Sequence, residues 1–196
     1  MRALIALLVL VAGCSAASEA RSAGQRRAVA VTTTTTVPPV VAPTTAPRPT
    51  DEVGLRCQRA VDDVLAELVA RGKAPPEADG VCRTREQEPI LGVHTGYSIG
   101  TRFVVRYPFD RVPESQWDQT WRDVAAHEIG HTWSRRLSAA QQQSYAAIRG
   151  QVAWSPEDFA DVYAAVVGHA GFLGYIETPP PADQVEALCA AGLLPC

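Results

Sequence analysis

The stretch "TTTTTVPPVVAPTTAPRPT", residues 32–50, limits how much of this chain can fold. It is rich in Thr and Pro and nearly free of large apolar groups. Such a segment cannot bury enough surface to offset its ordering entropy. Proline keeps it extended at about 3 Å per residue, so residues 15–50 read as a tether that can span on the order of 100 Å. The foldable part is then residues 51–196.

Residues 1–14, "MRALIALLVLVAGC", precede the tether. Arg2 supplies a charged start, and residues 3–12 form an apolar run too short to cross a bilayer comfortably. This is the pattern of a secretory signal. Its ending, "VAGC", resembles a bacterial lipobox, in which the cysteine is lipidated and becomes N-terminal. The resemblance implies that Cys14 carries a lipid and anchors the chain to a membrane. Cleavage after a small residue such as Ala17 is the alternative, and it would give a freely secreted protein. Buried acyl chains contribute about 0.8 kcal/mol per CH2, and several together anchor stably.

The cysteines agree with export. With Cys14 set aside, Cys57, Cys82, Cys189 and Cys196 remain. An even number in an exported chain points to two disulfides. Three pairings are open. Local closure favours Cys57–Cys82 and Cys189–Cys196. A structural zinc site is the rival, but no C-x-x-C pair is present.

From Asp51 onward the chain carries 13 Lys+Arg and 20 Asp+Glu, a difference of −7. No basic stripe is visible, which argues against a nucleic-acid partner.

Within the foldable part, Val61, Val64, Leu65, Leu68 and Val69 recur at helical spacing, which predicts a helix over 55–70 ended by Gly72. Residues 73–80 read as a Pro-containing loop. Two short strands are expected, over 90–94 and 102–107, with glycines between them. A long helix is expected over 114–137, then helices over 139–148, 155–167 and 183–191. Strands first and helices later indicate an α+β fold.

The long helical region over 114–137 contains "VAAHEIGHTW", residues 124–133. Residues four apart share a helix face, so His127 and His131 point the same way. Two neutral imidazoles one turn apart can share a divalent ion, and Zn2+ suits nitrogen ligands at about 2.0–2.1 Å. Glu128 lies about 100° further round the helix and is free to act on an attacking water. Gly130 costs about 1 kcal/mol of helix propensity relative to Ala, which points to close packing there. Ala126, Ile129 and Trp133 form an apolar face roughly opposite the histidines.

These residues resemble the zincin metallopeptidases, whose motif is H-E-x-x-H. The metzincin continuation is excluded, because Ser134 and Leu137 stand where Gly and His are required. The gluzincin branch takes its third ligand from a glutamate on a later helix, often with an acid four residues on. "SPEDFADVYAAVVGH", residues 155–169, resembles that pattern. Ser155 is a natural N-cap, Pro156 fits the first helical position, and Asp158 completes a capping box. Glu157 and Asp161 remain, one turn apart on one face. Ala160, Ala164 and Ala165 line that region and permit close approach of the His127–His131 helix. Phe159, Val162, Tyr163 and Val166 form the core side. The resemblance implies Glu157 as third ligand, with Asp161 hydrogen-bonding the far nitrogen of a ligand histidine. Asp161 and His169 are the competing ligands.

Similar E-x-F-A-E segments occur in lethal-factor-type peptidases. There a tyrosine seven residues before the glutamate helps stabilise the transition state, and here Gly150 occupies that place. Tyr145, His169 and Tyr175 are the candidate helpers. The resemblance as a whole implies a small α+β zincin outside the cell that hydrolyses peptide bonds with Zn2+ and with Glu128 as general base. A peptide or protein is the implied substrate, and strand 102–107 is expected to pair with it as an edge strand. The alternative is a zincin scaffold that binds zinc and a cell-envelope partner without cleaving.

Overall fold

The structure is a computed structural model that describes residues 47–89, 95–171, 174 and 176–196. Cys14, the apolar leader, most of the tether, the expected strand over 90–94 and Tyr175 lie outside the described residues. Among those described, five helices and a three-stranded sheet form an α+β domain, as the order of elements predicts. No described helix is long and apolar enough to cross a membrane.

Helix α1 spans Glu52–Ala70. It starts three residues earlier than the apolar spacing indicates, because Asp51 caps it by accepting from the Gly54 N–H at 2.8 Å. The last residues of the tether also belong to the folded body. Pro49 is buried, Arg48 pairs with Asp62, and Arg83 donates to the Pro47 carbonyl. Val61, Val64 and Leu68 of α1 are wholly buried and meet Trp121, Val124 and Ile129 in one core.

The strands are β1 (Asp79–Arg83), β2 (Gly96–Ile99) and β3 (Arg102–Arg106), in the order β1-β3-β2. β1 pairs parallel with β3, and β2 pairs antiparallel with β3. Two expectations change here. The segment read as a loop over 73–80 ends inside β1. The strand expected at the edge, 102–107, is the central one, and β2 is the antiparallel edge strand among the described residues. β1 escapes notice because it is short, has buried positions in an unbroken run, and begins with Asp-Gly.

The helix expected over 114–137 divides into a 3-10 turn, Glu114–Gln116, and α2, Trp117–Ser134. Helices α3 (Ala139–Ile148), α4 (Pro156–Val167) and α5 (Ala182–Ala190) follow within a residue of the expected bounds. Both preferred disulfides form. Cys57–Cys82 ties α1 to β1, and Cys189–Cys196 closes the C-terminus. Disulfides of this kind belong to an oxidising, extracytoplasmic environment.

Candidate metal centre

Helix α2 runs through the core between the sheet and α4, so its polar residues are buried with it. His127, Glu128 and Asp123 are each about 95% buried or more. A buried polar stripe of this kind needs partners, since an unpaired buried group is costly. Helix α4 supplies them. Ser155 caps its N-terminus by accepting from the Asp158 N–H at 3.1 Å, and Pro156 fills the first position. The helix therefore starts with Glu157 aimed back at α2.

Close approach of the two helices depends on Gly130. A Cβ there would stand 2.8 Å from Ala160 Cα and 3.1 Å from the Ala160 carbonyl oxygen. The glycine inside "HEIGH" thus lets the two backbones touch. Phe159, Val162 and Tyr163 of α4 are wholly buried, and the Tyr163 ring also packs against Gly130.

The three expected ligands converge. His127 Nε2 lies 3.4 Å from Glu157 Oε2, and His131 Nε2 lies 3.2 Å from the same oxygen. One ligand atom from each of the three residues falls within a common 4.8 Å. Ligands held at about 2.0–2.2 Å by one tetrahedral ion stand about 3.3–3.6 Å apart. The spacing fits such an ion, with a fourth position left for water or substrate. His169 is not among this group. Two imidazoles and a carboxylate form a donor set suited to zinc, though nickel, cobalt and copper accept it too.

Asp161 stands behind His127, on the side away from Glu157. Its Oδ1 lies 2.7 Å from His127 Nδ1, which directs Nε2 towards the ligand group. Its Oδ2 accepts the Ile176 N–H at 3.0 Å, so both carboxylate oxygens have partners. Asp161 itself is completely buried.

Glu128 differs from every other carboxylate in the group. Its Oε2 is buried with no hydrogen-bond partner among the described residues. It fits only because residue 96 is glycine, where a Cβ would meet Glu128 Oε1 at 2.6 Å. Burial pushes its carboxyl up to about 8, and the charge of Glu157 adds to the rise. The two histidines move in opposite directions. Burial works against charge on His127, but Asp161 and Glu157 outweigh it and hold its pKa at about 9. Burial and the neighbouring His127 push His131 down to about 4. Only one imidazole of such a close pair can hold a proton, and Asp161 selects His127.

The remaining candidates separate clearly. Tyr145 is wholly buried, stacks against Trp154 and Phe159, and donates to Asp158 Oδ2 at 2.8 Å. Its hydroxyl belongs to the core. Asp158 is not the second half of a capping box. Its carboxylate instead receives Tyr145 and, through both oxygens, the Arg149 guanidinium at 3.1 Å. His169 is buried, with Nδ1 3.3 Å from Asp123 Oδ1. Asp123 precedes His127 by one turn on the same face of α2.

Sequence reasoning passed over three residues that bear on this centre. Gly96 was read only as a spacer. Asp123 and Arg135 stand four residues before His127 and four after His131. They continue the same stripe, so the i, i+4 spacing was the clue to both. The chain matches no protein-family model, no curated protein and no solved structure.

Proposed function

We propose that this chain is a zinc-dependent peptidase of zincin type, acting on a peptide or protein outside the cytoplasm. The observation that carries the reading is the convergence of His127 Nε2, His131 Nε2 and Glu157 Oε2 beside a buried Glu128 whose Oε2 has no partner among the described residues. An inert structural metal site has no use for such a carboxylate.

His127, His131 and Glu157 hold the ion, and Asp161 fixes the tautomer of His127. Zinc in this position supplies Lewis-acid polarisation of a scissile carbonyl and a more acidic water. Glu128 takes a proton from the attacking water and hands it to the leaving amine. A carboxyl raised towards neutrality suits both halves of that transfer, and a bound cation draws it back down. The carboxylate's position against Gly96 puts it beside the outer edge of β2, where an extended peptide can add as a strand. His169, whose Nδ1 lies 3.3 Å from Asp123 Oδ1, and Tyr175 are the candidate helpers for the transition state.

The test is elemental analysis together with peptide turnover. The wild type is expected to hold one zinc per chain and to cleave peptides. Glu128→Gln is expected to keep the zinc and lose cleavage. A zinc-loaded wild type that cleaves nothing in a diverse peptide library would favour a binding scaffold. The disulfides and the "VAGC" ending support a lipid anchor at Cys14. Detergent partitioning of wild type against Cys14→Ser tests it, and equal aqueous behaviour of the two would remove the anchor.

A further inference from the structure

The two outer edges of the sheet are closed by different means. On β1 the Gln58 side chain acts as a missing strand. Its Nε2 donates to the Gly80 carbonyl at 3.0 Å, and its Oε1 accepts the Cys82 N–H at 3.1 Å. That edge is sealed inside the domain. On β2 the pairing is antiparallel to β3, and the Arg106 N–H donates to Thr95 O at 2.8 Å. Thr95, Tyr97 and Ile99 therefore turn their backbone groups towards β3, and Gly96 and Ser98 turn theirs outward.

Arg135 occupies most of that outward edge. Its guanidinium donates to the Ser98 carbonyl, to Ser98 Oγ at 2.9 Å and to the Gly100 carbonyl at 3.1 Å. Among the described residues, what remains is the outward peptide unit of Gly96, the residue against which Glu128 packs. A strand added there meets Arg135 within two residues.

Arg135 stands one turn past His131 on the metal face of α2, and it is exposed. It has no carboxylate partner among the described residues, whereas its neighbour Arg136 pairs with Glu77. Three of the five guanidinium N–H groups are used on β2 and the turn after it, so two are left. Those three bonds also fix the fork in place, which lowers the entropy lost when a further partner binds.

We propose that Arg135 is a specificity-determining residue, which ends strand pairing beyond Gly96 and selects peptides that present a carboxylate there. The proposal rests on the peptide-site reading above and names its substrate class. The carboxylate is either an acidic side chain or a peptide C-terminus.

The test uses the full zinc-loaded chain and fluorescent peptides in matched sets, with Glu, Gln, a free C-terminal acid or a C-terminal amide at successive positions. Affinity from anisotropy reads the proposal, and product formation reads the hydrolysis, so each can fail alone. A carboxylate at one position is expected to improve affinity about two- to fivefold, the range typical of an exposed ion pair. The Glu/Gln set and the acid/amide set show which source it is. The preference should shrink with added salt. In Arg135→Gln the carboxylate-to-neutral ratio should fall to about one, and Arg135→Lys should retain part of it. A purely structural role for Arg135 would lower both affinities together and leave the ratio intact. Equal affinities for all matched peptides in the wild type, or an unchanged ratio in Arg135→Gln, would overturn the proposal.

Discussion

Gly130 of α2 rests on the backbone of Ala160 of α4, so closely that a Cβ at 130 would stand 2.8 Å from Ala160 Cα. The contact sets the distance between the helix bearing the two histidines and the helix bearing Glu157. Gly130→Ala gains about 1 kcal/mol of helix propensity. It also forces a methyl group into a backbone that cannot swing aside, at a cost of about 1–3 kcal/mol. Overpacking wins, because Glu157 must also withdraw from the histidines. The variant is expected to unfold at lower denaturant and to bind zinc at least tenfold more weakly. Competition titration against a chelator checks it, and unchanged affinity would show that the helix spacing is not critical.

Glu157 and Asp161 share a face of α4 but not a role. Glu157 Oε2 faces both Nε2 atoms, while Asp161 lies behind His127 on Nδ1. Glu157→Ala should nearly abolish zinc binding. Asp161→Asn should retain the metal with an affinity lowered about 10–100-fold. Zinc titration of both variants measures the order, and the reverse order would make Asp161 the ligand.

The metal-free centre should respond to pH in a defined direction. His127 has a folded pKa of about 9 against an ordinary 6.5, so its stabilisation is complete below 6.5 and is lost as pH rises through 9. Glu128, raised to about 8, favours its neutral form in the fold, and its ionisation costs stability from about pH 4.5 upward. His131, lowered to about 4, opposes folding as pH falls below 6.5. The metal-free domain is expected to be most stable near pH 5 and to melt earlier towards pH 9. Zinc needs deprotonated ligands, so the stabilisation it adds should grow over the same range. Melting curves with and without zinc would show this as a widening gap, and a constant gap would contradict it.

Tyr145 and His169 should separate by readout. Tyr145→Phe removes one buried hydrogen bond to Asp158, which keeps Arg149 as a partner. A stability loss of about 1 kcal/mol is expected, with zinc content unchanged. His169→Ala should retain zinc and lower kcat by about a hundredfold, as loss of a transition-state donor does. A kcat near that of wild type would return His169 to a packing role beside Asp123.

What the chain states in its own order is local. The α3 bounds, the Ser155 cap, the pairing of Cys189 with Cys196 and the stripe of His127 and His131 all depend on residues within about two turns of one another. Periodicity, capping and short loop closure act at that range, so they are legible in sequence. The same logic placed Glu157 and Asp161 on one face. It could not say that Asp158 would abandon its cap for Arg149 and Tyr145, because that choice depends on how α3 lies against α4.

The order of the strands was decided only in three dimensions. β1 pairs with β3 across 23 residues in register, and nothing in either segment names the other. With β3 in the centre, the outer antiparallel position passed to β2, and Gly96 came to rest against Glu128. The motif brings His127 and His131 together as candidate metal ligands, because their spacing is one helical turn. Which edge faces them, and which arginine closes it, follows from the burial of α2 between the sheet and α4, and only long-range packing could set that.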